Sequence, residues 1–193
     1  AVMGLFSGLH TKVAVYMLYR LYVQLFDLEQ RWNVLIIVIM IISMMIGAFG
    51  GLAENSIRRV LGYQMLNGMP FILVMLAFTS DDPRRALAAG IMYTIHHMVT
   101  VGSLILASGA IEETYGTGLL SKLSGLARRD PIIAWIFAAG AFSVVGFPPF
   151  SGMWGKLMIV FEVARVGGAW AWIAIAAIII ASFAAFLAML RVW

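Results

Sequence analysis

Apolar runs of bilayer length, separated by short polar connections, fill this chain from end to end. A helix needs roughly 20 residues to cross a hydrocarbon core of about 30 Å. Six such spans can be read: Ala1 to Phe26, Val34 to Ala53, Val60 to Phe78, Ala86 to Ile111, Ile132 to Val166, and Ala169 to Trp193. Between them lie "DLEQRWN", "ENSIRR", "TSDDPRR" and "EETYGTGLLSKLSGLARRDP", and short connections imply close-packed antiparallel neighbours. Of the 193 residues, 63% are hydrophobic and 11% charged, against about a quarter charged in a soluble domain. The expected fold class is all-α integral membrane, with six transmembrane helices and a lipid bilayer as the surroundings.

The fifth span is too long for one straight helix. Thirty-five residues from Ile132 to Val166 would reach roughly 50 Å at about 1.5 Å per residue. It also contains "GFPPFSGMWGK", in which Pro148 and Pro149 remove two backbone donors and Gly146 and Gly152 flank them. A break into two half-helices at Pro148-Pro149 is therefore expected. Unwound backbone at membrane depth persists only where protein or a watery cavity satisfies it, and broken helices mark ion or substrate pathways in transporters.

Composition excludes some chemistry outright. With no cysteine there is no disulfide, no catalytic thiol and no thiolate-held metal or iron–sulfur centre. The net charge of +4 comes mainly from arginines in short loops, which reports orientation and gives no reason to expect nucleic acid. One side collects Arg58, Arg59, Lys122, Arg128, Arg129 and Arg191, and the other Arg31, Arg84, Arg85 and Arg165. The positive-inside rule then places the residue 1 end and the "LARRDP" loop in the cytoplasm. No signal peptide precedes the first span, Ala1 is not an initiator methionine, and "LAMLRVW" ends at a helix terminus. The chain reads as cut at both ends.

Against this background the intramembrane exceptions are Lys12, Lys156, Glu162 and the pair His96-His97. A charge at the bilayer centre costs about 2.5–3.5 kcal/mol on insertion scales, so such residues face a bundle interior or a hydrated cavity. Lys12 falls near the middle of its span, and a lysine, unlike an arginine, can exchange a proton when buried. The competing reading is a lysine that only fixes helix packing. His10, two residues earlier, points to a different face and reads as a neighbour or a cap. Lys156 follows the Pro-Pro break, where unwound carbonyls and water are at hand. Glu162 and Arg165 are three apart, so they share a face and form a pair.

His96 and His97 sit in "YTIHHMVTVGS" with Tyr93, Thr94, Thr100 and Ser103. Adjacent helical positions diverge by about 100°, so the two rings cannot face one cavity equally. Histidine suits a proton relay, and it is equally at home satisfied by a hydroxyl across a helix interface. Without a nearby carboxylate, the pair makes an incomplete metal site, and no cofactor is expected. The clusters "GAFGG", "GSLILASGA" and "AAGAF" let helices approach closely, and the thirteen methionines read as filling.

Several stretches together resemble one family, the proton-translocating antiporter-like subunits shared by Mrp-type sodium/proton antiporters and respiratory complex I. "SGLHTKVAVYMLYR" resembles that family's eighth helix, whose lysine is a central proton-path residue. "GAFGGLAENSIRRVLGY" is similar to the turn between the ninth and tenth helices, and "YTIHHMVTVGSLILASGAIEETYGT" to the eleventh helix. "LSGLARRDPIIAWIFAAGAFSVVGFPPFSGMWGKLMIV" resembles the broken twelfth, with Lys156 at the central position. "TKVAVYMLYR", "GAIEETYGTG" and "GLARRDP" lean toward the D subunit of the Mrp antiporter.

The resemblance implies helices eight to thirteen of a fourteen-helix fold, with residues 1–26 closing a first repeat and residues 34–193 forming a second, five-helix repeat. The N-terminal half and the final helix have no counterpart here. It further implies a multi-pass subunit in the cell's inner (plasma) membrane, beside other membrane subunits. Protons would pass from Lys12 through His96, His97 and water to Lys156, supported by His10, Thr100 and Glu162, and be exchanged for sodium. Many relatives carry a lysine where this chain has Val101, so the relay across the fourth span would rest on the histidines, Thr100 and water. Two other classes remain: a proton-pumping membrane subunit of a respiratory NADH:quinone oxidoreductase or related redox complex, and a non-transporting membrane anchor.

Overall fold

The computed structural model describes residues 2–193, leaving aside the side chains of Met3, Leu5 and Ser7. Ala1, the expected start of the first span, lies outside the described residues. Among those residues the regular structure is helical, apart from an isolated bridge between Ser56 and Leu119. The helices are α1 (Val2–Leu5), α2 (Thr11–Gln24), α3 (Asn33–Ala53), α4 (Ile57–Leu73), α5 (Pro83–Tyr115), α6 (Leu126–Arg129), α7 (Pro131–Val145), α8 (Ser151–Val166) and α9 (Gly168–Val192). Short 3₁₀ turns occupy Gln30–Trp32, Val74–Ala77 and Leu120–Lys122.

Four stretches are long and apolar enough to cross a membrane: Gln30–Ala53, Ile57–Ala77, Pro83–Tyr115 and Gly168–Val192. The two other spans expected from the sequence are composite. In the first, a π-helical turn, Phe6–His10, joins α1 to α2. In the fifth, α7 and α8 are the halves of a helix broken around Pro148 and Pro149. Ile42, Ile46 and Phe49 of α3, and Trp172, Ile179 and Phe183 of α9, point outward, an apolar exterior suited to lipid.

Helix α5 is the central element. It packs against α4, α7, α8 and the π-helical turn, while α3 packs on α4 and α9. At 33 residues it exceeds the expected 86–111 at both ends, for identifiable reasons. Asp82 caps its start by accepting from the Arg84 and Arg85 N–H groups, with Pro83 in the first turn. Gly116, at φ +69°, ends it in the left-handed conformation a C-terminal glycine supplies. Glu112 and Glu113 therefore belong to its last turn.

Other boundaries also shift. Helix α4 begins three residues before the expected Val60 and carries Pro70 inside it, then tightens into a 3₁₀ turn in place of helix through Phe78. The long polar connection after α5 is not a plain loop. Leu120 N–H donates to Asn55 O at 2.9 Å and Ile57 N–H to Gly118 O at 3.0 Å, which fastens it to the start of α4. Asp130 caps α7 through the Ile133 N–H, again with proline at the first helical position.

The expectation of tight packing between sequence neighbours fails at α2 and α3. An apolar groove of about 540 Å³, lined by Leu18, Leu21, Trp32, Leu35 and Met40, lies between them, and Tyr22 bridges them near their connection, its hydroxyl 3.5 Å from Asn33 Oδ1. The first span instead packs through its N-terminal part on α5. A side chain at Gly8 would touch Met98 O and the Gly102 Cα, so small residues on both helices permit that approach. Further along, Tyr19 crosses to α4 and its hydroxyl donates to Ile72 O at 2.6 Å.

Candidate functional site

The break in the fifth span builds one end of the site. Gly146 stops α7 with φ +91°, and its N–H returns to Phe142 O and Ser143 O. Helix α8 starts at Ser151, and Gly152 lies so close to α7 that any Cβ there would overlap Ser143 O. The two halves thus overlap side by side. The Val145 carbonyl, left without a helical partner by the break, accepts from Lys156 Nζ at 2.7 Å. Lys156 also donates to Ser182 Oγ of α9 at 3.0 Å, and its ammonium sits 4.9 Å from the centre of the Phe71 ring. Only 8% of Lys156 is exposed, so carbonyl, hydroxyl and ring face stand in for water around the cation.

His96 approaches the same break from α5. Its Nδ1 lies 2.9 Å from Ser151 Oγ and 3.3 Å from Thr100 Oγ1, and Ser151 Oγ lies 3.2 Å from Ser143 Oγ. His97, as adjacency on a helix requires, turns elsewhere. It is fully buried against α4, where a Cβ at Gly68 would overlap its Nε2. His96 Nε2 has no hydrogen-bond partner among the described residues, and His97 faces the backbone of Gln64. Tyr93 forms the wall between the components: its ring is 5.4 Å from His96, 6.0 Å from His97 and 5.5 Å from Phe71. Gly155, next to Lys156, leaves room for it.

Lys12 enters from the first span, just beyond the π-helical turn, and is 6% exposed. Its Nζ donates to Thr11 Oγ1 at 3.1 Å. It lines a groove of about 450 Å³ together with Thr94, Ile91 and Ile95 of α5, on the turns next to the histidines. The described structure thus places Lys12 on α2, His96 and His97 on the central α5, and Lys156 on α8, which packs against α5.

The supporting residues divide. Thr100 is in contact with His96. His10 is exposed, its ring edge-on to Phe6 at 5.3 Å. Glu162 pairs with Arg165 at 3.7 Å, the i, i+3 pair expected from spacing. Arg20, absent from the intramembrane charges read in the sequence, lies within α2 with its guanidinium 5.9 Å from the Tyr16 ring centre. Sequence reasoning also misses Ser143, Ser151 and Ser182, and the buried amides Gln64 and Asn67 on α4. The serines stand close to proline or small apolar residues that carry the stronger signal, and only the fold brings their hydroxyls to His96 and Lys156. Chemically the centre combines groups that bind a proton reversibly with hydroxyls that both donate and accept.

Comparison with known proteins bears on what such a centre serves. The family described as "NADH:quinone oxidoreductase/Mrp antiporter, TM" matches residues 1–185. The D subunit of the Na(+)/H(+) antiporter of Alkalihalophilus pseudofirmus is 30% identical over 161 residues, covering 83% of this chain and 32% of that protein. The N subunit of the NADH-quinone oxidoreductase of Hydrogenovibrio crunogenus is 30% identical over 185 residues, 94% of this chain and 38% of that one. A chain in the solved structure of the Mrp complex from Dietzia sp. superposes with a TM-score of 0.93 at 38% identity, covering all of this chain and 35% of its own. The chain spans about a third of the length of these relatives.

Proposed function

The chain belongs to the NADH:quinone oxidoreductase/Mrp antiporter membrane family, and we propose that it forms part of a proton-translocating subunit of a multisubunit sodium/proton antiporter. Residues 1–26 would close a first repeat and residues 34–193 form the second. The subunit would lie in the cell's inner membrane among sister subunits, with the residue 1 end in the cytoplasm. Protons would move along the membrane plane from Lys12, past His97 and His96, to Lys156. A change of charge on one lysine alters the proton affinity of the groups facing it, which couples the sites without direct contact.

The observation that carries this reading is the setting of Lys156. It is a buried amine held by a carbonyl freed at a helix break and by a hydroxyl of the next helix. Five residues earlier on the same half-helix, the Ser151 hydroxyl lies within hydrogen-bond distance of His96. Among the described residues no carboxylate lies within 4.0 Å of Lys156.

A second reading has support in the similarity to the N subunit of NADH-quinone oxidoreductase: the same axis would then serve a redox-driven pump. Reconstituting the complete complex in liposomes separates the two. Acidification or alkalinisation of the lumen driven by a sodium gradient alone supports the antiporter. Proton movement that appears only during NADH oxidation supports the pump, and no proton movement in either case leaves only a membrane anchor.

A further inference from the structure

The hydroxyl of Tyr19 lies where α2, α4 and α5 meet, and the axis described above gives it no task. Tyr19 is 7% exposed, and its hydroxyl crosses from α2 to donate to Ile72 O of α4 at 2.6 Å. Gly90 of α5 closes the seat: a Cβ there would overlap that hydroxyl and come within 3.3 Å of Ile72 O. Ile72 stands in the last turn of α4, just beyond Pro70, where the α-helical ladder gives way to the 3₁₀ turn Val74–Ala77. Carbonyls at a helix end turn to partners outside the helix, and inside a bilayer lipid supplies none. Taken alone, the hydrogen bond meets that need and nothing more.

The residues it joins give it a second consequence. On α2, Tyr19 follows Lys12 by seven residues, two turns, and both belong to the buried stripe Lys12, Val15, Tyr19 and Tyr22. On α4, Ile72 follows Phe71, the ring on which the Lys156 ammonium rests at 4.9 Å. On α5, Gly90 leads a face that continues with Tyr93 and His97, three and seven residues on. Tyr93 in turn packs on Phe71 and His97, with ring centres 5.5 and 6.0 Å away. Lys12, Phe71 and His97 therefore stand on three helices that share one hydrogen-bonded node. Ile72, Phe71 and Tyr93 are each at most 1% exposed, and a close-packed interior passes a backbone shift on to its neighbours. A shift of α4 at Ile72 is thus felt at the ring against Lys156.

We propose that Tyr19 is a positioning residue for proton transfer: its hydroxyl, seated between Ile72 O and Gly90, sets the register of the Lys12 helix against Phe71 and the histidine face of α5. Tyr19 does not itself take up the proton. Its bond joins residues 1–26 to residues 34–193, the two repeats of the proposed function. The inference rests on the proton-translocating reading above, and its test carries Lys156→Ala so that the two can fail separately.

The test uses the complete complex in everted membrane vesicles, following sodium-dependent collapse of a pH gradient per assembled complex. Tyr19→Phe, Gly90→Ala, the double variant and Lys156→Ala are compared with wild type. Tyr19→Phe keeps the ring and removes the donor, whereas Gly90→Ala keeps the donor and pushes it off Ile72 O. Each single variant is expected to lose about tenfold in maximal rate, the equivalent of one net hydrogen bond, with half-saturation by sodium unchanged. The double variant should be no slower than the slower single one, because both changes break the same contact. Wild-type maximal rates in Tyr19→Phe, with Lys156→Ala inactive, would overturn the positioning role and leave the proton centre standing. Losses that multiply in the double variant would overturn it too, since they would be two separate effects. Failure of both single variants to assemble would assign the contact to folding alone and equally overturn the proposal. Normal transport in Lys156→Ala would overturn the underlying reading instead.

Discussion

Lys156 donates a 2.7 Å hydrogen bond to the carbonyl of Val145, across the break in its own helix. The proline pair that interrupts the helix thereby creates the acceptor for the basic residue on α8's buried face. Among the described residues the ammonium is held by three weak substitutes for water, the Val145 carbonyl, the Ser182 hydroxyl and the Phe71 ring.

This arrangement predicts that Lys156→Arg fails as completely as Lys156→Ala. An arginine would keep the contact with the Phe71 ring and the fold, but it stays protonated at every accessible pH. The check is transport per assembled complex, where both variants should sit at background with normal abundance.

Ser151 and Thr100 are expected to matter through His96, which lies within hydrogen-bond distance of both. Ser151→Ala removes the shorter of these contacts and severs the link to Ser143. Transport should fall several-fold with assembly intact, and Ser151→Thr, which restores a hydroxyl, should recover much of it. The same rate in all three proteins would remove Ser151 from the site.

Two glycines should behave oppositely. At Gly152 an added Cβ meets the backbone oxygen of Ser143, which cannot yield without separating α7 from α8. Gly152→Ala should cost about 1–3 kcal/mol, the usual range for overpacking, visible as a lower melting temperature of the purified complex. At Gly68 the obstacle is the His97 ring, which an added Cβ would push from its buried place beside Tyr93. Gly68→Ala should therefore slow transport more than it lowers thermal stability.

Asp130 offers a control away from the proton centre. It caps α7 by accepting from Ile133 N–H at 3.3 Å, and losing such a cap costs about 0.5–2 kcal/mol. Asp130→Ala should lower thermal stability and leave transport per assembled complex unchanged.

The spans, the break at Pro148 and Pro149, and the depth of Lys12 and Lys156 are legible in the sequence because each leaves a local mark: hydropathy, a proline pair, a charge where charge is costly. The divergence of His96 and His97 follows from helix geometry alone. The features that leave no such mark depend on contacts between distant segments. Gln64 and Asn67 carry no charge and sit in "YQMLNGMP", between Gly62 and Pro70, so nothing local marks them as buried. Their burial is decided by how α3 and α9 close over α4. The "GAFGG" cluster reads as packing, and it is packing, but against the very face of α4 that carries those amides. The π-helical turn before Lys12, which packs on α5, and the groove between α2 and α3 likewise have no mark in any one window of sequence.

The most direct measurement is sodium-induced collapse of a preformed pH gradient in everted vesicles from cells that hold the complete complex and no other antiporter, with Lys12→Ala and Lys156→Ala each compared with wild type. Collapse in the wild type that both variants lose, at equal complex abundance, is the expected outcome. Undiminished collapse in either variant would rule out a proton path through the two buried lysines.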